Sequence, residues 1–132
     1  MTDITPKRKP EAWRSYIVRT KPWPDIIAYF QKDAPHCDPM LRLVASLAAS
    51  PASSQLFAAT SMSDLLISDT EDFRIGDSTL RVSYNAIDRK FEFRHRTFSG
   101  HNDHTTCPES EALQMLYLFL KLKYGVLYNP MA

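Results

Sequence analysis

The spacing of apolar residues in the first part of the chain is typical of three short helices. The stretch PWPDIIAYFQKD predicts a helix over Pro24–Lys32, because proline lacks only a donor that stays unpaired in a first helical turn. A second helix is predicted over Pro39–Ala49, with Asp38 as its N-cap. The stretch SPASSQLFAA repeats that start signal and predicts a third helix that runs to about Ala59.

Beyond residue 64 the pattern changes to the two-residue period of β-strands. LLIS (65–68) is a compact apolar run, and apolar residues alternate with polar ones over 80–84 and 91–95. GDS (76–78) and NAID (85–88) have the residue types of turns. Such alternation predicts a meander of antiparallel strands with one packed face and one solvated face.

The last predicted element is a long helix. Thr106 and Glu109 have the spacing of a capping box, with Pro108 in the first turn and Gly125 as the C-terminal stop. The apolar stripe is wide, and it consists of Leu113, Met115, Leu116, Leu118, Phe119, Leu120 and Leu122. A stripe of this width predicts a helix that lies across a sheet and is flanked by other helices.

These patterns predict an α+β fold in a single domain, residues 1–132. Short N-terminal helices precede a central antiparallel β-meander of three to five strands, and the long C-terminal helix packs on the sheet. No internal repeat or Gly/Ser linker divides the sequence. Residues 1–11, with the basic stretch PKRKP, are expected to form a flexible arm. WRSYIVRT (13–20) is interpreted as a short edge strand or a helix.

The charge balance and the lack of long apolar runs limit the kinds of partner that the chain is expected to bind. The chain has 16 basic and 15 acidic residues, so its net charge of +1 offers no overall attraction for nucleic acid or an anionic membrane. No apolar run approaches the roughly 18 residues of a membrane span. The N-terminal residues lack the apolar segment of a secretory signal, and two distant cysteines suit free thiols. A cytoplasmic protein is therefore expected.

The stretch RHRTFSGHNDHTTCP (94–108) holds three of the four histidines and one of the two cysteines. His101, His104 and Cys107 are the alternative candidates for a zinc site or a thiol-dependent enzyme. Their spacing matches no common zinc module, so the favoured interpretation is an exposed loop that ends in the cap of the last helix. His95 is expected to finish the apolar face of its strand. We therefore predict no catalytic residue, no metal and no cofactor.

Charges are segregated along the strands. Residues 64–77 are mainly acidic and residues 81–96 mainly basic. Such an acidic loop beside a basic sheet face could steer a charged protein partner. The predicted partner-binding residues are the loop carboxylates Asp69, Glu71, Asp72 and Asp77. A weaker alternative is nucleic-acid binding through Arg81, Arg94, Arg96 and the PKRKP arm, but the strand aromatics are expected in the core, which leaves no stacking platform.

Two stretches, SMSDLLISDTEDFRIGDSTLRVSYNAIDRKFEFRH and CPESEALQMLYLFLKLK, carry a resemblance that covers about the second half of the chain. The chain resembles small bacterial immunity proteins, in which a helical front precedes an S-x-x-x-L-x-I-S strand, an L-x-V-x-Y strand, an F-x-F strand and a closing helix. The resemblance implies a cytoplasmic, non-enzymatic protein that binds and neutralises a cognate toxin domain. No binding residue carries over by motif.

Overall fold

The structure of the protein is a computed structural model that describes residues 17–33, 37–74, 79–96 and 101–128. The predicted arm over 1–11, the turn at 76–78 and the candidate Asp77 lie outside the described residues. Within the described ranges, no helix is long and apolar enough to cross a lipid bilayer.

Five antiparallel strands form one sheet in which each strand pairs with its neighbour in sequence. The strands are β1 (Phe57–Ser61), β2 (Asp64–Ser68), β3 (Leu80–Asn85), β4 (Lys90–Arg96) and β5 (Asn102–Pro108). The predicted meander is therefore confirmed. The turn at NAID is also confirmed, because the Asn85 side-chain carbonyl accepts hydrogen bonds from the backbone N–H groups of Ile87 and Asp88.

Within the described residues the fold also has three α-helices, and two short 3₁₀ turns precede β1 and the last helix. The helices are α1 (Trp23–Lys32), α2 (Asp38–Ala49) and α3 (Ala112–Tyr124), and the 3₁₀ turns are Pro51–Gln55 and Glu109–Glu111. Asp38 was predicted as a cap but lies inside the first turn of α2, where Cys37 occupies the N-cap position. Gly125 ends α3 at φ 67°, as the sequence predicts.

The core lies between one face of the sheet and the helices, and this face is called the inner face. Alternate strand residues supply it, among them Leu65, Ile67, Leu80, Val82, Phe91, Phe93 and Cys107. The helices contribute Ile26, Phe30, Met40, Leu43, Val44, Leu47, Ala112, Leu116 and Leu120. The apolar faces that the strand and helix periods create therefore pack against each other in one layer. The α+β layout that the sequence predicts is confirmed.

The third predicted helix is wrong beyond Gln55. Its first residues form the 3₁₀ turn, but the chain then enters β1, which pairs residue by residue with β2. Ala58 and Ala59 are adjacent in sequence and both buried, on opposite faces of the sheet. A short apolar run that is buried on both sides has no distinct period, so sequence alone does not separate strand from helix.

The predicted capping box is also wrong. Thr106 lies in β5, opposite Glu92, and α3 begins only at Ala112. Glu109 does not bond back to Thr106; it accepts hydrogen bonds from the Tyr84 hydroxyl and the Arg89 guanidinium instead. Sheet pairing therefore prevails over the local helix-start signal. The interpretation of 101–107 as an exposed loop fails for the same reason, because Asn102–Pro108 is a strand.

A second, smaller apolar cluster covers part of the opposite face, which is called the outer face. Ala59 of β1 and Leu66 of β2 lie on that face, and Val18 and Phe73 pack over them. In the interpreted stretch 13–20, residues 13–16 lie outside the described residues and Val18–Thr20 form neither strand nor helix. They form a covering segment whose Val18 N–H donates to the Phe73 carbonyl at 2.7 Å.

Candidate interaction surfaces

The acidic residues after β2 form a loop that is held at both ends. Asp69–Asp72 is called the acidic loop. At its start, the Thr70 N–H donates to the hydroxyl of buried Ser68 at 3.1 Å. At its end, Phe73 is buried against the outer face. The loop is therefore held at both ends, and within it the Thr70 hydroxyl donates to Asp69 Oδ1 at 3.3 Å.

Asp72 has a different position from the other loop carboxylates. Its Oδ1 accepts hydrogen bonds from the Thr20 N–H at 2.9 Å and the Thr20 hydroxyl at 3.2 Å, and Arg19 approaches Oδ2 at 3.2 Å. These donors, first of all the Thr20 N–H, lower the pKa of the Asp72 carboxyl. Asp72 thus connects the covering segment to the loop, and its carboxylate points toward Arg19 and Thr20.

The structure separates the predicted partner-binding residues into two groups. Asp69 and Glu71 are exposed, and their carboxylates face solvent on a fixed loop. The Asp72 carboxylate is engaged within the protein by the Thr20 N–H, and Asp77 lies outside the described residues. Among the nominated residues that the structure describes, Asp69 and Glu71 are the two that can meet a partner directly.

Basic side chains line up across the outer face of β3, β4 and β5. Arg81 lies opposite Arg94, and Arg94 lies opposite His104. The two arginines carry like charges at directly opposite positions and repel each other, and neighbouring carboxylates offset this repulsion. Asp64 binds Arg81 at 2.7 Å, while Glu92 binds Arg94 at 2.7 Å and His104 at 3.4 Å. The nucleic-acid alternative stays a prediction, and two of its three arginines, Arg81 and Arg94, bind carboxylates in this structure.

A shallow depression of about 350 Å³ lies where this basic row meets the ends of β3 and β4. Its lining consists of Thr79, Arg81, Arg94, His95, Arg96, Asn102, Asp103 and His104. Three arginines and one acidic residue line the depression, and two of the arginines, Arg81 and Arg94, bind carboxylates outside this lining.

The three alternative metal or thiol candidates are not brought together. His104 and Cys107 are three positions apart in β5, so their side chains leave opposite faces of the sheet. His104 is exposed on the outer face, and Cys107 is buried on the inner face opposite Phe91. His101 is exposed just before the strand. Among the described residues, no group of three histidine, cysteine or acidic side chains could hold a metal ion.

Both thiols are buried, and burial raises the pKa of Cys37 and of Cys107. A thiol reacts as its thiolate, so these surroundings oppose nucleophilic chemistry at neutral pH. Cys37 precedes α2 and Cys107 faces the core, so each behaves as a small apolar residue.

His95 lies on the inner face of the sheet near the C-terminal end of β4, where the sequence predicts that it finishes the apolar face of the strand. Its ring meets Phe119 of α3 edge to face, with ring centroids 5.0 Å apart. Burial and the nearby Lys123 ammonium lower the pKa of His95, and Asp103 at 3.6 Å opposes them. His95 is therefore a core-edge imidazole that joins β4, β5 and α3.

Two exposed features escaped the sequence interpretation. One is β5 itself, whose His104 and other polar residues the sequence predicts to lie in a loop. The other is the far side of α3, where Leu118 and Leu122 are exposed and are not covered by another described helix. The expected flanking helices are therefore not seen on that side within the described ranges. The β-branched pair Thr105–Thr106 is the signal that favours a strand here.

Comparisons of the chain with protein-family models, with curated proteins and with solved structures find no match in any of the three.

Proposed function

We propose that this chain is a non-enzymatic protein-binding protein, and specifically an immunity-type inhibitor that binds and neutralises a cognate bacterial toxin in the cytoplasm. The observation that carries the proposal is the acidic loop, which is fixed by Ser68, Asp72 and Phe73 while Asp69 and Glu71 face solvent. The resemblance of the second half of the chain to small immunity proteins supports the same class.

A fixed loop favours binding because little conformational entropy is lost when a partner docks. Ordering a mobile side chain or loop subtracts from the free energy of association, so a surface that is already ordered binds more tightly for the same contacts. The two exposed carboxylates define the chemistry of the partner surface, which is basic. Charge complementarity of this kind mainly raises the association rate and excludes partners of the same sign.

The surroundings of the histidines and thiols support a non-enzymatic role. The thiols are buried with raised pKa values, and the exposed His104 lies on the opposite face of the sheet from Cys107. A thiol–imidazole pair needs both groups within hydrogen-bond reach, which positions on opposite faces do not provide.

The test uses the product of the gene adjacent to the one that encodes this chain. We expect the full chain to bind that protein in a surface plasmon resonance measurement, and to protect cells that express it. The Asp69→Asn/Glu71→Gln double variant is expected to associate about tenfold more slowly at low salt, because two steering charges are lost. An Asp33→Asn/Glu111→Gln variant removes two exposed carboxylates elsewhere and is the matched control.

Two results would count against the proposal at different levels. If the full chain neither binds the neighbouring gene product nor protects cells, the immunity function is wrong. If binding and protection occur but the loop variant associates as fast as the control, the acidic loop is not the contact surface.

A further inference from the structure

The strand β5 is an unpaired edge within the part of the chain that the structure describes. It lies last in the sheet order, and all seven of its residues pair with β4 without a bulge. Natural edges are usually shortened, bulged, charged with lysine or covered. This strand is regular, contains neither lysine nor arginine, carries one acidic residue, Asp103, on the inner face, and ends in a single proline, Pro108. Its outward N–H and C=O groups therefore offer a template for one more strand.

On the inner side of this edge lies an apolar shelf, Leu118 and Leu122 of α3. Leu113 points toward α2 beside Leu43, and the Tyr124 hydroxyl reaches the Ile67 carbonyl of β2. Successive helical residues are about 100° apart, so Leu118 and Leu122 lie on the opposite side of α3 from Leu113. That side faces beyond β5, and the exposed fractions are 41% for Leu118 and 75% for Leu122.

On the outer side of the same edge lies the basic group Arg94, Arg96 and His104. Arg94 and His104 are opposite each other, and Arg96 is opposite Asn102. More than half of the Arg94 and His104 side chains is exposed. Glu92 binds Arg94 at 2.7 Å and His104 at 3.4 Å, so it offsets one of the two arginine charges, and Arg94, Arg96 and Glu92 together keep one positive charge.

From this juxtaposition we propose that β5 receives an extended segment of a partner protein whose residues alternate between apolar and acidic. An added strand lies about 4.8 Å beyond β5 and points successive side chains to opposite faces. Its apolar residues would contact the shelf of Leu118 and Leu122, and its acidic residues would reach Arg94, Arg96 and His104. The inference goes beyond the proposed function, since it concerns a second surface and does not require that the partner be a toxin.

A second copy of the chain fits this edge poorly. Phe119 packs on Phe93 and His95, so α3 lies over β4. Pairing of two β5 strands would separate the two α3 helices by three strand spacings, about 14 Å, whereas packed helices lie about 8–10 Å apart. It would also bring the basic groups of the two copies together. A partner strand with alternating apolar and acidic residues requires no packing between two α3 helices and brings no second basic group to the edge.

The test is an NMR titration of the isotope-labelled full chain with the acetylated, amidated peptide (Val-Glu)₄ at low salt. We expect saturable shifts at the β5 amides and at Leu118 and Leu122. The peptide (Val-Lys)₄ controls for charge, and a (Val-Glu)₄ peptide with alternate backbone nitrogens methylated controls for strand pairing. We expect the Leu118→Gln/Leu122→Gln variant to bind the acidic peptide about tenfold more weakly. Ile87→Gln, at an apolar residue that is 93% exposed in the β3–β4 turn, should bind normally.

Several results would overturn this inference. They are equal binding of the acidic and basic peptides, undiminished binding of the methylated peptide, shifts that avoid β5, or no saturable shift at all. Dimerisation of the chain that the Leu118→Gln/Leu122→Gln variant abolishes would show that a second copy occupies the edge. Because only synthetic peptides are used, a negative result here leaves the immunity proposal to its own test.

Discussion

The two outer strands of the sheet differ in what lies beside them. At β1 the chain covers its own edge, because the Lys21 N–H donates to the Ala58 carbonyl at 2.9 Å and Val18 packs near Ala59 on the outer face. At β5, five of the seven residues are exposed, and no described residue outside β4 pairs with the strand. Among the residues that the structure describes, the sheet therefore has one protected edge and one open edge.

The difference between β1 and β5 indicates that protection of a sheet edge is local and depends on a few contacts. Residues 18–21 are held by two backbone hydrogen bonds, from Val18 to Phe73 and from Lys21 to Ala58, by Asp72 and by the small outer cluster. Nothing comparable lies beside β5 in the described ranges. An edge that stays regular and uncovered is either an aggregation hazard or a binding site. The flanking leucines and basic residues favour a binding site.

The largest expected effect comes from removing the anchor of the protected edge. Phe73 is 3% exposed in the outer cluster, so Phe73→Ala is expected to lower the free energy of unfolding by about 3 kcal/mol. Urea denaturation measures this loss. Leu122→Ala removes an apolar side chain beside the open edge, where it is 75% exposed, and should change stability by less than about 0.5 kcal/mol. Equal losses in the two variants would contradict the contrast between the edges.

The second expected effect is an acid sensitivity on the β5 side. Burial and Lys123 hold the pKa of His95 in the folded protein below its unfolded value of about 6.5. The unfolded chain therefore binds a proton that the folded chain does not. Stability should fall as pH drops through 6.5, and the loss should level off below the folded pKa. Urea denaturation between pH 8 and 5 measures the slope, and His95→Gln should flatten it. An unchanged slope in that variant would assign the effect to another group.

The smallest expected effect concerns the hydrogen bond between the Thr20 N–H and the Asp72 carboxylate. This residue has φ 48°, which asparagine tolerates and alanine does not tolerate well. Asp72→Asn keeps a carbonyl acceptor for the Thr20 N–H, whereas Asp72→Ala loses it. Amide hydrogen exchange at Thr20 and Lys21 should therefore speed up slightly in the asparagine variant and several-fold in the alanine variant. The β5 amides should exchange as before, and a change there would mean that the two edges are coupled.

Much of the fold follows from periodicity that the sequence shows directly. The helical spacing at Ile26 and Phe30 and the alternation at Leu80 and Val82 are strong because each element buries one face and exposes the other. The errors fall where this asymmetry is lost. At Ala58 and Ala59 both faces are buried, and in β5 nearly all side chains are polar. Neither segment has an apolar period that could identify it.

The candidate surfaces were predictable only in part. Clustering of acidic residues after β2 is visible in the sequence, and it led to Asp69 and Glu71, which are exposed. The same clustering also led to Asp72, whose carboxylate is committed to Thr20, 52 residues earlier in the chain. Sequence spacing gives the sign of a local charge but not the distant donor that engages it.

By itself, the sequence determined the element types with a strong period, the stop at Gly125 and the acidic character of the loop, because these depend on neighbours within a few residues. Tertiary structure alone decided which edge is covered, that His104 and Cys107 face away from each other, and that Leu118 and Leu122 stay exposed beside β5. These properties depend on sheet pairing and helix placement, which join residues far apart in the chain, and no local pattern records which strand ends up at the edge.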